Sequence, residues 1–334
     1  MGIRVLHVGL GPIGAGVVRQ VAERKGLTIV GGVDVDRAKS GRDLGDVVGL
    51  GRRLKIKVSD DLKGTLKAKA PDVVVLCTSS SLAAIVPQIE AIARAGTPIV
   101  STTEELAYPA YSHKRLASTI DAIARKRKIA VLGTGVNPGF VMDALPITLT
   151  GVCERVDRIE VDRVQDARIR RLPFQQKIGS GLTPEAFDTK VKQGSVRHVG
   201  LTESIAMIAD AVGWTLDRIT DDIVAKVATA PVSSEFITVE RGQVCGLIQD
   251  GVGYRKGEAL IRLHMEAYLG APESYDAVRI SGSPALSMKI AGGVHGDIAT
   301  ASIVVNSIPK VLHAPPGLQT MRTLPIPSFF GGKL

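Results

Sequence analysis

"IRVLHVGLGPIGAGVVRQVAERKG", residues 3–26, decides the fold. Its opening "IRVLHVG" is an apolar run of strand character. "PIGAGVVRQVAERKG" then reads as a helix, with Pro12 suited to its first turn and Gly26 as its stop. Gly9, Gly11 and Gly14 fall between them in G-x-G-x-x-G spacing. Glycine-rich turns are common, but this one follows a strand and opens a helix, the context in which the pattern carries meaning. Gly9 permits the tight turn, Gly11 lets the backbone approach a pyrophosphate, and Gly14 lets helix and strand pack closely. The helix N-terminus, begun by Pro12 and Ile13, adds unpaired N–H groups and a positive dipole end. Gly9, Gly11, Pro12, Ile13 and Gly14 are therefore expected to contact a dinucleotide.

Working outward, "LTIVGGVDVD" (27–36) reads as a second strand, and Asp34 ends it about 20 residues after the glycines. An acid there bonds the ribose hydroxyls of NAD and repels the 2′-phosphate of NADP. Arg37 and Lys39 follow at once and suit that phosphate, so NAD and NADP both stay open. Asp36 has the alternative reading of a helix cap. The alternation continues: strand "LKIKV" (54–58) with Ser59 capping the next helix, strand "PDVVVLCT" (71–78), helix "SLAAIVPQIEAIARAG" (81–96), strand "TPIVST" (97–102), helix "YPAYSHKRLASTIDAIARKRK" (108–128) and strand "IAVLGTG" (129–135). Strands separated by helices at this spacing predict a parallel sheet covered on both faces. Thr78 and Ser79, at the end of their strand, are expected to line the cofactor or to cap the helix that follows.

After "NPGFVMDALP" the texture changes. "ERVDRIEVDRVQDA" (154–167) and "EALIRLHMEAYLG" (258–270) alternate polar and apolar residues, and glycine turns punctuate the stretch between. A helical block, "LTESIAMIADAVGW" (201–214), interrupts it, with Thr202 or Ser204 as cap. "GDIATASIVVNSIPKVLHA" (296–314) is a long apolar helix suited to packing on the first domain. The predicted fold is α/β. An N-terminal Rossmann dinucleotide-binding domain spans 1–136 and is completed by 295–334. A second α+β domain over 137–294 rests on a mainly antiparallel sheet with one open face, and serves substrate binding and oligomerisation.

Bulk properties remove other classes. The chain has 334 residues, 45% of them hydrophobic, enough for a sizeable core. No stretch approaches the roughly 20 apolar residues of a membrane span, and the N-terminus runs straight into a strand, so neither membrane insertion nor export is expected. Cys77, Cys153 and Cys245 form no CxxC pair, which points away from disulfides and structural zinc and toward a reducing cytoplasm. The net charge of +9 is spread along the chain, and its densest run, "ARKRK" (124–128), sits where cations complement a helix C-terminus, so nucleic acid is not an expected partner.

"STTEELAYP" (101–109) carries Glu104 and Glu105 behind the strand "TPIVST", on the edge where open α/β sheets bind ligands. One of the pair can serve proton transfer; equally, acids favour a helix start, and Pro109 supports one nearby. On pattern alone the two readings balance.

Together, "GLGPIGAGVV", "STTEELAYP", "GTGVNPGFVMD", "HVGLTESIAMIAD" and "GGVHGDIATASIVVNSIPKVLHAPPGL" resemble the 2,4-diaminopentanoate dehydrogenase family and the related native amine dehydrogenases, within the dihydrodipicolinate-reductase-like superfamily. The resemblance covers nearly the whole chain. It implies NAD(P)-dependent oxidative deamination of a small amine to a carbonyl plus ammonia, reversible as reductive amination, with no metal. It also implies Glu104 as the catalytic carboxylate, ahead of Glu105. Asn137, with the cofactor, and Phe140, Met142, Phe174, Ile178 and His198, with the substrate, would line a pocket at the domain junction; core packing competes for the first five and is favoured for Met142, and a helix-flanking surface or hydrogen-bonded role competes for His198.

"RRLPFQQKIGSGLTPE" (170–185) lacks the paired histidines of dihydrodipicolinate reductases, which disfavours a dicarboxylate, and Lys177 reads as a solvated loop residue. Cys153 reads as core rather than as a nucleophile. His295 and Asp297 are expected to position the last long helix, Asp297 as its cap. His7 and His264, in strands, carry no functional weight. An apolar sheet face suggests a homodimer. The runner-up activity is reduction of a cyclic imine or an amino-acid-derived carbonyl, and a nucleotide-sensing binding protein would need no Glu104.

Overall fold

The computed structural model describes residues 2–331. The chain forms two compact units, Met1–Phe140 with Gly296–Leu334, and Val141–His295.

The first unit starts with β1 (Ile3–Val8), α1 (Pro12–Glu23) and β2 (Leu27–Val33), then a one-turn α2 (Leu44–Val47) and α3 (Leu62–Lys69). β3 (Val73–Leu76), α4 (Leu82–Arg94), β4 (Ile99–Ser101), a 3-10 turn at Glu104–Leu106, α5 (Lys114–Arg127) and β5 (Ala130–Gly133) follow. The second unit contains α6 (Ala144–Thr150), β6 (Arg155–Asp166), α7 (Leu172–Lys177), α8 (Pro184–Lys192), α9 (Leu201–Ala211) and β7 (Arg218–Val227). Two short strands, β8 (Val232–Ser233) and β9 (Thr238–Val239), precede β10 (Val244–Arg255), β11 (Glu258–Tyr268), β12 (Tyr275–Ser283) and β13 (Leu286–Ala291). The chain then returns to the first unit through α10 (Gly296–Leu312) and β14 (Gly317–Gln319).

The first sheet runs β14-β5-β4-β3-β1-β2 with every pair parallel. Because β2 and β3 flank β1 on opposite sides, the strand order reverses at β1, and the carboxyl end of β1 is the place where such sheets bind dinucleotides. α4 and α5 cover one face, where Leu6, Val8, Leu76, Ile85, Ile89, Leu106 and Ile120 form a buried cluster. α1 and α10 pack together against the other face.

His7 alternates with Leu6 and Val8 and so lies on the α1–α10 side. It is buried, both ring nitrogens lack a hydrogen-bond partner, and desolvation lowers its pKa to about 3. The folded pKa lies below the unfolded value of 6.5. Between those limits the unfolded chain binds the proton and the folded one does not, so stability falls as pH drops. We expect a loss of about 1.4 kcal/mol per pH unit over that window, abolished in His7→Leu. Equal acid slopes for the two proteins in urea melts would contradict this.

Several local expectations are corrected. "LKIKV" is not a strand: Lys55 adopts φ +59 and the Asp43 carboxylate holds the Leu54 N–H, so only isolated bridges form, Asp43 with Lys57 and Val33 with Ser59. Asp61, not Ser59, caps α3 by accepting from Gly64 N, while Ser59 Oγ accepts from Asp61 N. α5 begins at Lys114 rather than near Tyr108, because the stretch before it closes as turns, with His113 N–H on the Pro109 carbonyl. α9 is preceded by Gly200 with no side-chain cap, which leaves Thr202 and Ser204 inside its first turn. Asp297 is the second residue of α10, an acid in its first turn.

In the second unit the main sheet runs β13-β12-β6-β11-β10-β7, antiparallel except for the parallel pair β6–β11. Ile159, Val161, Ile261 and Leu263 are buried on one face, where α9 lies over β10 and β11. Gly251 and Gly253 make room there: a Cβ on either would come within 3 Å of Ile205. The other face is not the apolar surface expected. It carries ion pairs, Arg279 with Asp162 at 2.7 Å and His264 between Asp250 at 2.9 Å and Glu266 at 3.0 Å.

Candidate active site

The carboxyl edge of the first sheet is stitched by backbone bonds that run from strand end to strand end. Gly9 N–H donates to Val33 O at 2.8 Å, Cys77 N to Val8 O at 2.7 Å, Thr102 N to Leu76 O at 3.1 Å and Thr134 N to Ser101 O at 2.8 Å. Four loops thus leave the sheet in a fixed row, and these loops carry the candidate residues.

The three fingerprint glycines meet different constraints. Gly9 has φ +87, and a Cβ there would stand 2.4 Å from Cys77 O; a Cβ on Gly14 would stand 2.0 Å from Gly9 O. Both are required by the protein's own packing. Gly11 has an ordinary φ of −69, and a Cβ there would meet nothing within 4 Å. The protein itself does not demand glycine at position 11, and the open space above it is what a pyrophosphate needs. Gly11 is also the residue preceding α1, where no side chain caps the helix, and Pro12 and Ile13 open its first turn. The loop therefore fits a dinucleotide phosphate.

Asp34 stands just past β2, and its Oδ2 accepts the Leu10 N–H at 2.7 Å, tying the acid to the glycine loop. Oδ1 accepts the Asp36 N–H at 2.9 Å and Lys39 Nζ lies 3.0 Å from Oδ2. Burial would raise the carboxyl pKa, but the bonds from Asp36, Lys39 and Leu10 outweigh it and hold Asp34 ionised below its ordinary range. Arg37 is exposed on the same turn, and Asp36 accepts the Ala38 N–H within that turn rather than capping a helix.

At the end of β3, Thr78 is exposed with its hydroxyl on Gln88 at 2.7 Å, and Ser79 Oγ accepts the Ser81 N–H at 3.1 Å. Neither caps α4. Its first N–H, on Leu82, goes to Glu105 Oε2 at 2.8 Å, and the same oxygen lies 3.2 Å from His113 Nε2. Ser101 and Thr103 pin the approach to the 3-10 turn: Ser101 Oγ donates to Leu76 O, and Thr103 Oγ1 donates to Ser79 O at 2.7 Å. Gly133 presses on the turn from beneath, since a Cβ there would stand 2.5 Å from the Leu106 carbonyl carbon. Glu105 is thus committed to the scaffold. Glu104, half-buried, is the turn's other acid.

Asn137 is buried in the loop after β5, beside Val136, whose N–H donates to Thr300 Oγ1 on α10 at 3.3 Å, and Phe140 is half-buried at the end of that segment. Met142 is fully buried at the start of the second unit.

Phe174, Ile178 and His198 all lie in the second unit. Phe174 lies under the Arg170 guanidinium at 4.0 Å, and Ile178 N–H bonds back to Phe174 O at 3.1 Å. Lys177 is not a solvated loop residue but the half-buried last residue of α7. His198 is only 9% exposed, and its backbone is clamped by Gln249 through His198 N–H to Oε1 at 2.8 Å and Nε2 to His198 O at 3.0 Å. Desolvation, and then Lys177, Arg163, Arg170 and Arg197, push its pKa well below the ordinary value. Cys153 lies half-buried in the turn before β6, not in a strand core.

Sequence reading missed Glu105's cap, the Asp34–Leu10 bond, and the buried polar residues Gln175, Glu203 and Gln249. Glu203 and Gln249 had a signal of their own: a polar residue inside an apolar helix or strand pattern.

A family model described as the 2,4-diaminopentanoate dehydrogenase C-terminal domain matches residues 140–334, and one described as the dihydrodipicolinate reductase N-terminus matches residues 3–132. The 2,4-diaminopentanoate dehydrogenase of Acetoanaerobium sticklandii is 35% identical across 97% of this chain and 94% of its own length. An amine dehydrogenase of Streptomyces virginiae is 24% identical, covering 95% of each. The solved structure of an amine dehydrogenase from Mycobacterium smegmatis superposes with a TM-score of 0.88 at 26% identity, over 99% of this chain and 98% of that one.

Proposed function

The chain belongs to the 2,4-diaminopentanoate dehydrogenase family, and from that premise we propose how its own residues serve the reaction. It is an NAD(P)-dependent amine dehydrogenase: it oxidises an amine to a carbonyl and ammonia, and runs in reverse as a reductive amination. The bound nicotinamide supplies the hydride acceptor. The glycine loop and the α1 N-terminus would hold its pyrophosphate, and Asp34 would accept from its adenosine ribose.

Glu104 is our catalytic carboxylate. What supports this choice is position: Glu104 opens the 3-10 turn that follows β4 at the carboxyl edge of the sheet, and its neighbour Glu105 has a structural role, holding the α4 N-terminus and His113. In the reading we propose, the Glu104 carboxylate accepts a proton from the substrate ammonium and passes it to solvent, so that the free amine can release hydride from its carbon beside an ionised Glu104. The same carboxylate stabilises the cationic iminium that develops on the substrate. It then takes a proton from water as the water adds to the iminium carbon and returns that proton to the nitrogen, so that ammonia leaves as the carbonyl forms and the hydroxyl proton passes back to the carboxylate. Thr78, Ser79 and Asn137 are assigned to the cofactor, and Phe140, Met142, Phe174, Ile178 and His198 to the substrate.

We take the substrate to be a carboxylated diamine resembling 2,4-diaminopentanoate rather than a simple alkyl amine. What supports this is the likeness to the 2,4-diaminopentanoate dehydrogenase of Acetoanaerobium sticklandii, with the cations Lys177, Arg170 and Arg197 acting on the buried His198, while Arg163 is already paired with Asp276. Turnover of 2,4-diaminopentanoate and of an alkyl amine of equal length, each with NAD and NADP, tests it. A higher kcat/KM for the alkyl amine would reject the carboxylated substrate. A homodimer resting on an apolar sheet face loses that ground, because the face carries ion pairs, and light scattering measures the oligomeric state. Among the described residues no helix is long and apolar enough to cross a membrane.

A further inference from the structure

The helices α4 and α5, which cover one face of the first sheet, leave a cationic groove between them. Its volume is about 780 Å³, and its cations are Arg94, the last residue of α4, and Arg115, Lys126 and Arg127 of α5. Ala122 and Ile123 give it an apolar floor, and Ile123 also packs on the core beneath. The α5 positions that line it recur every three or four residues from 115 to 127 and so share one face of the helix. At 1.5 Å per residue that row is about 18 Å long.

Charge is sorted around α5. Its acid, Asp121, is turned elsewhere: it accepts the Leu318 N–H of β14 at 2.9 Å and pairs with Arg125 at 2.7 Å. Arg94 pairs with Glu90 of its own helix at 2.8 Å. No acid lines the groove, and among the described residues Arg115, Lys126 and Arg127, all exposed, form no ion pair. The helix dipole accounts for Lys126 and Arg127, which stand in the last turn of α5. It does not account for Arg115, which stands in the first turn, where a cation is disfavoured.

A row of unpaired cations at both ends of one helix face suits an anion that carries charge along its length. A single phosphate meets one end of the row, whereas a chain of phosphates meets both. Arginine forks take phosphate oxygens in pairs, and a lysine ammonium meets them as a point charge. The exposed Ser118 adds a hydroxyl donor, while Thr119 spends its own on the Arg115 carbonyl at 3.0 Å. No aromatic side chain lines the groove, so nothing there stacks a nucleic-acid base.

We propose that this groove is a second ligand site, one that binds a linear inorganic polyphosphate along α5. None of its residues is assigned to the cofactor or the substrate, and the inference does not depend on the dehydrogenase reading.

Calorimetric titration of the intact protein, saturated with NADH so that the glycine loop is filled, tests it with polyphosphate, orthophosphate and a single-stranded oligonucleotide as probes. Polyphosphate should bind, orthophosphate at equal ionic strength should not, and the oligonucleotide should bind more weakly. In Arg115→Gln/Lys126→Gln/Arg127→Gln, polyphosphate affinity should fall by roughly tenfold or more, and its salt dependence should become shallower. Arg115→Lys/Arg127→Lys should retain binding. So should Lys63→Gln/Lys67→Gln/Lys69→Gln, which removes as many exposed cations from α3 and separates a local site from net charge. Equal affinity in the wild type and the α5 variant, equal losses in the α3 and α5 variants, or displacement of polyphosphate by NADH would overturn the proposal. So would tighter binding of the oligonucleotide, or orthophosphate binding as well as the chain.

Discussion

Glu104→Gln lowers kcat for amine oxidation by about 10²- to 10⁴-fold and leaves the affinity for NAD(P) unchanged. Glutamine keeps the size and one acceptor oxygen, so the turn at Glu104–Leu106 retains its shape, held from outside by Ser101, Thr103, Glu105 and Gly133. Only the ability to take a proton and to carry negative charge is lost. The neighbouring position gives the contrast. Glu105→Gln preserves an acceptor for the Leu82 N–H, and Glu105→Ala removes it, at a cost of about 1 kcal/mol as for other lost helix caps. Steady-state kinetics beside thermal melts separates the pair: Glu104 should move rate without stability, Glu105 stability before rate. The reverse pattern would exchange their roles.

The second large effect distinguishes two glycines that the sequence motif treats alike. Gly11→Ala adds a methyl group into open space at φ −69, a conformation any residue adopts, so the apoprotein should melt as the wild type does. Its cofactor affinity should nonetheless fall by roughly 10- to 100-fold, because the pyrophosphate has to approach that backbone closely. Gly14→Ala places a Cβ 2.0 Å from Gly9 O, a backbone atom that cannot move without dragging the end of β1, so the fold itself should lose about 3 kcal/mol or more along with cofactor binding. Melts of the two apoproteins with and without NADH are the measurement. Equal destabilisation would mean that position 11 is packed by the protein and not kept open for a ligand.

Much of this architecture was legible because it is written in short-range patterns. Strand, glycine turn and helix follow one another within residues 3–26, and the alternation in 154–167 and 258–270 gives two strands of the second sheet directly. What stayed hidden was set by distant partners. The two glutamates are neighbours in sequence, and the Leu82 N–H that Glu105 accepts comes from a different strand-to-helix loop. "LKIKV" has strand composition, yet the Asp43 carboxylate and the positive φ of Lys55 bend it. The β6–β11 pair is parallel inside an otherwise antiparallel sheet, a pairing of strands more than ninety residues apart that no local turn announces. Lys177 and His198 carry polar side chains, and their burial arises only when α7 and β10 assemble around them.

The most direct test of the central claim, that this enzyme interconverts an amine with a carbonyl and ammonia, is the rate of NAD(P)H oxidation by the wild type with the carbonyl substrate as ammonium is varied. Consumption should be absent without ammonium, rise with its concentration and saturate, with the amine appearing in step with the NAD(P)H consumed. NAD(P)H consumed at the same rate with no ammonium present would contradict the amine chemistry and point instead to a reductase of the carbonyl itself.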